Sequence, residues 1–219
     1  LYFLPLLLID THPLLSDQQR VELHAITTRH FIRAHLGQAS DIYGSRHLTP
    51  DTLTQWMQED LQPKIFQTYA YKTASAVTSL TECALVIARE LPSHAKQAAL
   101  GFARDFGVGF KIIDDVLNFT ETSDLRKTCG EDLVDGKLTY VIYRALQMLD
   151  PQDSARLREI LCSPELRRQD ETLREGIGLV RKSGALQQCA GEGTRLFQQG
   201  WSRLAEALPP SWPKWLLYD

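Results

Sequence analysis

Phe110-Lys111-Ile112-Ile113-Asp114-Asp115-Val116-Leu117-Asn118-Phe119 sets Asp114, Asp115 and Asn118 into a largely apolar run. At 3.6 residues per turn, positions 114, 115 and 118 lie on one side of a helix. Two adjacent carboxylates on such a helix are costly to bury unless a cation neutralises them. Mg²⁺ suits that task, because it takes one or two protein carboxylates and completes its shell with water and substrate phosphates. A pair of solvated aspartates on a helix surface fits the same short pattern, so the stretch alone leaves both readings open.

The residues that follow favour the first. Beyond a polar loop over 120–124 come Lys127, Gly130-Glu131-Asp132 and Gly136-Lys137. Lysine is a compact cation suited to phosphate oxygens. Each lysine alone reads as solvated surface charge. Carboxylates to hold a metal, followed by lysines to hold a phosphate, form a coherent diphosphate site.

The pattern around this stretch is helical almost throughout. Leu1 to Asp10 reads as the end of an apolar helix, and Ser16-Asp-Gln-Gln19 as a capping box opening a long helix to about Tyr43. A break follows, and Thr49-Pro50 starts a new helix with proline at its tolerated first position. Pro63 interrupts it. Lys64 to Glu90 reads as one long helix, and Ser93 as the cap of the next, His94 to Phe119. Further helices are predicted over 138–149, from Pro151 onward, over 171–182 and over 185–208. The proline-rich tail from Pro209 ends the pattern. No strand alternation, internal repeat or low-complexity linker is visible. The predicted fold is all-α, a single domain over 1–219, built as a large bundle with its sites on facing helices in the interior.

Composition is that of an ordinary globular chain: 219 residues, 43% hydrophobic and 23% charged. The net charge of −3, with no basic run, argues against a nucleic-acid partner. Cys83, Cys129, Cys162 and Cys189 are far apart and form no CxxC pair, which reads as reduced structural cysteine. The six histidines make no metal-binding motif. The apolar start, Leu1 to Ile9, is too short to span a bilayer and lacks the features of a secretory signal. We read it as the remainder of a buried helix whose earlier part is missing. These features predict a cytoplasmic protein without a transmembrane segment, and leave an upstream targeting segment open.

Two further groups stand out. Gln38 and Asp41, in Gly37-Gln38-Ala-Ser-Asp41, are three apart and share a helix face. Lys72 and Thr73 lie among Ala70, Ala74, Ala76, Val77 and Leu80. A lysine emerging from such a face commonly has an anionic partner. Ordinary solvated polar residues fit either group, and the sequence does not show that they converge.

Taken in order, Gly37-Gln38-x-x-Asp41, Lys72-Thr73-Ala74, Phe110-x-x-x-Asp114-Asp115-x-x-Asn118, Lys127 and Glu131-Asp132-x-x-x-Gly136-Lys137 resemble the trans-isoprenyl diphosphate synthase family, and geranylgeranyl diphosphate synthases most of all. The resemblance spans residues 1–150. It implies an isoprenoid synthase-type helical bundle with a central cavity, a homodimer, and a prenyltransferase that condenses an allylic diphosphate, such as farnesyl diphosphate, with isopentenyl diphosphate. It implies Mg²⁺ as cofactor. By position, Asp114 is expected to bind metal directly, with Asp115 and Asn118 supporting it through its water shell. Lys72, Lys127 and Lys137 are expected to hold the allylic diphosphate, Gln38 and Asp41 to line the site, and Thr73 to lie beside the reacting carbon.

The chain departs from the family pattern in three places. The upstream acidic motif is absent, and with it the basic residues for isopentenyl diphosphate; both are expected to precede Leu1. Lys111 stands where the family usually has glutamine, four residues before Asp115 and so able to pair with it. There it could strengthen diphosphate binding or compete with Mg²⁺. Val141 stands where the family often has proline. The alternatives to elongation are a class I terpene cyclase on the same fold, a non-catalytic subunit of a prenyl diphosphate synthase, and a helical bundle with no site.

Overall fold

The computed structural model describes residues 3–44, 48–88, 90–120 and 129–217. Helix α1 (Leu4–Thr11) turns at Pro13 into α2 (Asp17–Tyr43). The capping box expected there is present: the Gln19 amide donates to Ser16 Oγ at 3.3 Å, and the Ser16 amide donates to Gln19 Oε1 at 3.1 Å. Next come α3 (Pro50–Gln58) and α4 (Gln62–Tyr69), each with proline in its first turn, then a π-helical segment, Ala70–Ala74, and α5 (Ser75–Ala88). Helix α6 (Ser93–Asn118) carries the acidic stretch. Beyond it lie α7 (Glu131–Val134), α8 (Tyr140–Met148), α9 (Pro151–Cys162), α10 (Pro164–Arg167), α11 (Asp170–Lys182), α12 (Ala185–Ala207) and α13 (Trp212–Leu216). Among the described residues all regular structure is helical, and no helix is long and apolar enough to cross a membrane. Cys83, Cys129, Cys162 and Cys189 are all free thiols.

Three local expectations are corrected. The single helix expected over 64–90 is broken by the π-helical segment. Two glycines let neighbouring helices close on it. A Cβ on Gly37 of α2 would stand 2.3 Å from the Lys72 nitrogen, and one on Gly107 of α6 would stand 2.3 Å from Ala74 Cα. Helix α6 starts at Ser93 itself: Pro92, in extended conformation, occupies the cap position and accepts from the Ala95 and Lys96 amides. The proline-rich tail does not end the helical pattern, because Ser211 caps α13 by accepting from the Lys214 amide. Lys214 Nζ in turn donates to the Ala205 and Leu208 carbonyls at the end of α12, where a cation suits the helix terminus.

Helix α6 is the spine. It runs along α12 from the Phe102–Trp201 ring contact to the close approach of Gly109 and Gly193, and it packs against α5 and the π-helical segment. Ile112, Leu133, Ile142, Leu157 and Ile160 have no exposed surface; burying each such side chain contributes about 1.5–3 kcal/mol. Val141 is fully buried in the first turn of α8. Proline is tolerated in that turn, so the exchange from the family residue has little local consequence.

Candidate functional site

The π-helical segment fixes the first cation. π-Bulges occur frequently at functional sites because they shift one side chain off the helical register. Here Lys72, in that segment, donates from Nζ to Asp41 Oδ2 on α2. The Lys72 side chain is 26% exposed and that of Asp41 12%, so the pair sits at the rim of the interior. Thr73 is half-buried beside it, whereas Gln38 is exposed. The Gly37 contact seats α2 on the backbone of Tyr71 and Lys72, which brings the Gln38–Asp41 turn alongside the lysine.

The acidic pair of α6 is divided by burial. The Asp115 side chain has no exposure, while that of Asp114 is 33% exposed. Tyr69 donates its hydroxyl to Asp115 Oδ2, and the same hydroxyl accepts from the Tyr140 amide at 2.8 Å. Lys111 Nζ lies 2.6 Å from Asp115 Oδ1 and 2.9 Å from Asp114 Oδ2. The contact to Asp115 Oδ1 is a close ion pair, and Lys111 is the partner of this buried oxygen. Burial pushes the Asp115 carboxyl up to about 7, against the pull of Lys111 and Tyr69. Burial also works against the charge on Lys111, but Asp115 and Asp114 overcome it and hold the ammonium above the usual lysine range. The Tyr69 phenol is raised by burial first and by Asp115 second.

Tyr69 belongs to no motif, and nothing in the sequence distinguishes it from a core tyrosine. Buried, its hydroxyl joins α6 to the start of α8. Tyr69→Phe is expected to cost about 1–3 kcal/mol, because it strips a donor from a buried carboxylate and an acceptor from a buried amide. Urea denaturation measures this directly, and a loss below about 0.5 kcal/mol, the level of an ordinary surface change, would show that the bridge does not hold the site.

The loop after α6 supplies the second cation. Asn118 is buried; its Oδ1 accepts from the Asp132 amide at 3.2 Å, and its carbonyl accepts from the Gly130 amide at 2.8 Å. Asn118 therefore ties the end of α6 to α7. Lys137 follows that turn and lies 3.3 Å from Asp132 Oδ1 and 2.8 Å from Asp135 Oδ2. Burial disfavours its charge, but Asp135, Asp132 and Asp41 together hold the ammonium above the usual range. A cleft lined by Asp41, Thr68, Tyr69, Lys137 and Thr139 connects these groups. Asp41 and Lys137 thus face one cleft, which Tyr69 links to Asp115, and Lys72, which lines a neighbouring groove, joins it through its bond to Asp41. Lys127 lies outside the described residues.

These donors fit a hard divalent cation of one kind. No group of three or more His, Cys, Asp or Glu that could hold a metal occurs among the described residues. A cation that takes one or two carboxylates and completes its shell with water and phosphate fits the partly exposed Asp114 carboxylate.

Known proteins resemble the chain in sequence and in fold. The family model described as polyprenyl synthetase matches residues 1–176. The chain is 37% identical over 117 residues to solanesyl diphosphate synthase 1, chloroplastic, of Arabidopsis thaliana, a match covering 53% of this chain and 27% of that protein. It is 31% identical over 141 residues to the all-trans-nonaprenyl-diphosphate synthase (geranyl-diphosphate specific) of Rhodobacter capsulatus, covering 64% and 41% respectively. The chain therefore spans less than half the length of these relatives. Geranylgeranyl pyrophosphate synthase from Corynebacterium glutamicum, solved in complex with isoprenyl diphosphate and magnesium, superposes with a TM-score of 0.74 at 20% identity, over 93% of this chain and 54% of that one. At that identity the likeness shows the fold, the isoprenoid synthase-type helical bundle expected from the sequence. With the family model matched over most of its length, the chain belongs to the polyprenyl synthetase family.

Proposed function

We propose that the protein is a trans-prenyltransferase that condenses an allylic diphosphate with isopentenyl diphosphate, giving geranylgeranyl or a similar polyprenyl diphosphate. In that reaction the allylic C–O bond breaks and diphosphate leaves. A carbon–carbon bond forms to the alkene of isopentenyl diphosphate, which then loses a proton. The observation that carries the reading is a cleft lined by Asp41 and Lys137, with Lys72 bonded to Asp41 at its edge and Tyr69 linking the cleft to Asp115.

In this reading Lys72 and Lys137 exchange their aspartate partners for phosphate oxygens, and Lys127 joins them. Their charge favours the departing diphosphate more than the bound ester, which is what lowers the barrier. Asp114 would hold a Mg²⁺ ion directly, with Asp115 and Asn118 fixing its surroundings. Bound there, the ion supplies further positive charge to the leaving group. Gln38 lines the α2 side and Thr73 faces the reacting carbon. An apolar groove lined by Leu8, Leu23, Phe31, Ala76, Leu80 and Lys72 suits the hydrocarbon tail. Leu7, Leu8, Val21, Ile32 and Leu36 stand exposed along α1 and α2, and such apolar exposure supports the homodimer that belongs to the same proposal. Cytoplasmic placement and a single domain over 1–219 are part of it as well.

Incubation of the intact protein with farnesyl diphosphate, labelled isopentenyl diphosphate and Mg²⁺ tests the reading. A longer labelled prenyl diphosphate is the expected product. A hydrocarbon formed without isopentenyl diphosphate would replace this reading with a cyclase. Absence of both would replace it with a non-catalytic subunit.

A further inference from the structure

Lys111 touches both carboxylates of α6, and a like-charged ion cannot share them with it. Its Nζ is 2.9 Å from Asp114 Oδ2 and 2.6 Å from Asp115 Oδ1. The Asp115 carboxylate cannot turn away, because Tyr69 holds its other oxygen. The Lys111 side chain is only 12% exposed and lies one helical turn before its partners, so the pair is closed by the fold and not by a passing surface contact.

We propose that Lys111 is a built-in counter-ion that closes the Asp114–Asp115 pair to divalent cations until a diphosphate arrives to receive the ammonium, or a saturating concentration of the cation displaces it. The inference rests on the diphosphate reading of the site. It makes Lys111 a determinant of metal affinity and of binding order. Without diphosphate, a dication must displace an ammonium that has no other anion to meet. With diphosphate, the long flexible side chain can swing from the carboxylates to the phosphate oxygens, and the cation takes its place. Binding of metal and of diphosphate is then positively coupled through one side chain, reciprocally in both directions.

Mn²⁺ binding followed by electron paramagnetic resonance, with and without inorganic diphosphate, tests this. Lys111→Gln is expected to bind Mn²⁺ alone roughly ten- to a hundredfold more tightly than wild type, the ordinary size of a coupling between ligands. Lys111→Arg should stay close to wild type, and added diphosphate should narrow the gap. A second measurement needs no variant: amine acylation of wild-type Lys111, read by mass spectrometry, should be slow in chelator and several-fold faster in saturating Mn²⁺. Equal Mn²⁺ affinity in wild type and Lys111→Gln, lost in both on Asp114→Asn, overturns the inference and leaves the diphosphate site standing. If Lys111→Gln does not fold, an acylation rate indifferent to Mn²⁺ overturns it equally. No Mn²⁺ binding by any form, even with diphosphate, removes the site reading and the inference together.

Discussion

Asp114→Ala is expected to slow prenyl transfer by about 10³-fold, equivalent to ~4 kcal/mol of transition-state stabilisation, while leaving the fold almost as stable as wild type. The two halves of this expectation have different causes. The Asp114 side chain is 33% exposed and meets Lys111 at the edge of the site. Lys111 keeps Asp115 as its buried partner after the substitution. A half-exposed ion pair of this kind contributes about 0–1 kcal/mol. Asp114 is also the accessible carboxylate, and hence the one placed to hold a cation against a leaving diphosphate. Asp115 is unsuited to this test, because its loss would leave Lys111 and Tyr69 without a buried partner and mix folding with chemistry. Turnover with labelled isopentenyl diphosphate, measured beside a urea melt, separates the two quantities. Turnover within tenfold of wild type would take Asp114 out of the machinery.

Much of this site is legible as single residues and little of it as a site. Asp41, Lys72, Asp114 and Asp115 stand out in the sequence because each interrupts an apolar helical face. The capping box at Ser16 and the long helices α2, α6 and α12 are equally plain, since caps and the 3.6-residue period are local properties. What joins the residues is not local. The sequence places Lys111 three and four residues before Asp114 and Asp115, within reach of both, but the Tyr69 hydroxyl that holds the other Asp115 oxygen comes from a distant helix. Tyr69 itself is hidden, as a tyrosine in an apolar helix reads as core whether or not its hydroxyl bridges two elements. Asn118 is visible as part of the acidic motif, yet its contact with the Asp132 amide requires the chain to turn back on itself over a loop whose path has no periodic signal. The π-helical segment is hidden for a third reason: Ala70–Ala74 has the composition of an ordinary α-helix, and the packing constraint at Gly37 and Gly107 that meets it is a tertiary one.

That constraint carries the second large expectation: Gly107→Ala should destabilise the fold by about 3 kcal/mol. A single added methyl is normally favourable at such a place, because alanine is a better helix former than glycine by about 0.5–1 kcal/mol. Here the new Cβ would lie 2.3 Å from Ala74 Cα and 2.4 Å from Ala74 Cβ. Neither is the end of a flexible side chain that can turn aside, so α6 and the π-helical segment must separate. Ala74 closes the segment that carries Lys72, and α6 carries Asp114 and Asp115. Their separation therefore moves the lysine away from the carboxylates as well as loosening the core. The melting temperature should fall by roughly 10 °C, and turnover should fall even at temperatures where the variant remains folded. Gly101 supplies the control within the same helix. A Cβ there meets nothing within 4 Å, so Gly101→Ala should be neutral or stabilise by about 0.5–1 kcal/mol. Calorimetry on the two variants decides the matter: opposite signs place the effect in the α6–Ala74 contact, whereas equal responses would mean that glycine at 107 is not what lets the helices close around Lys72.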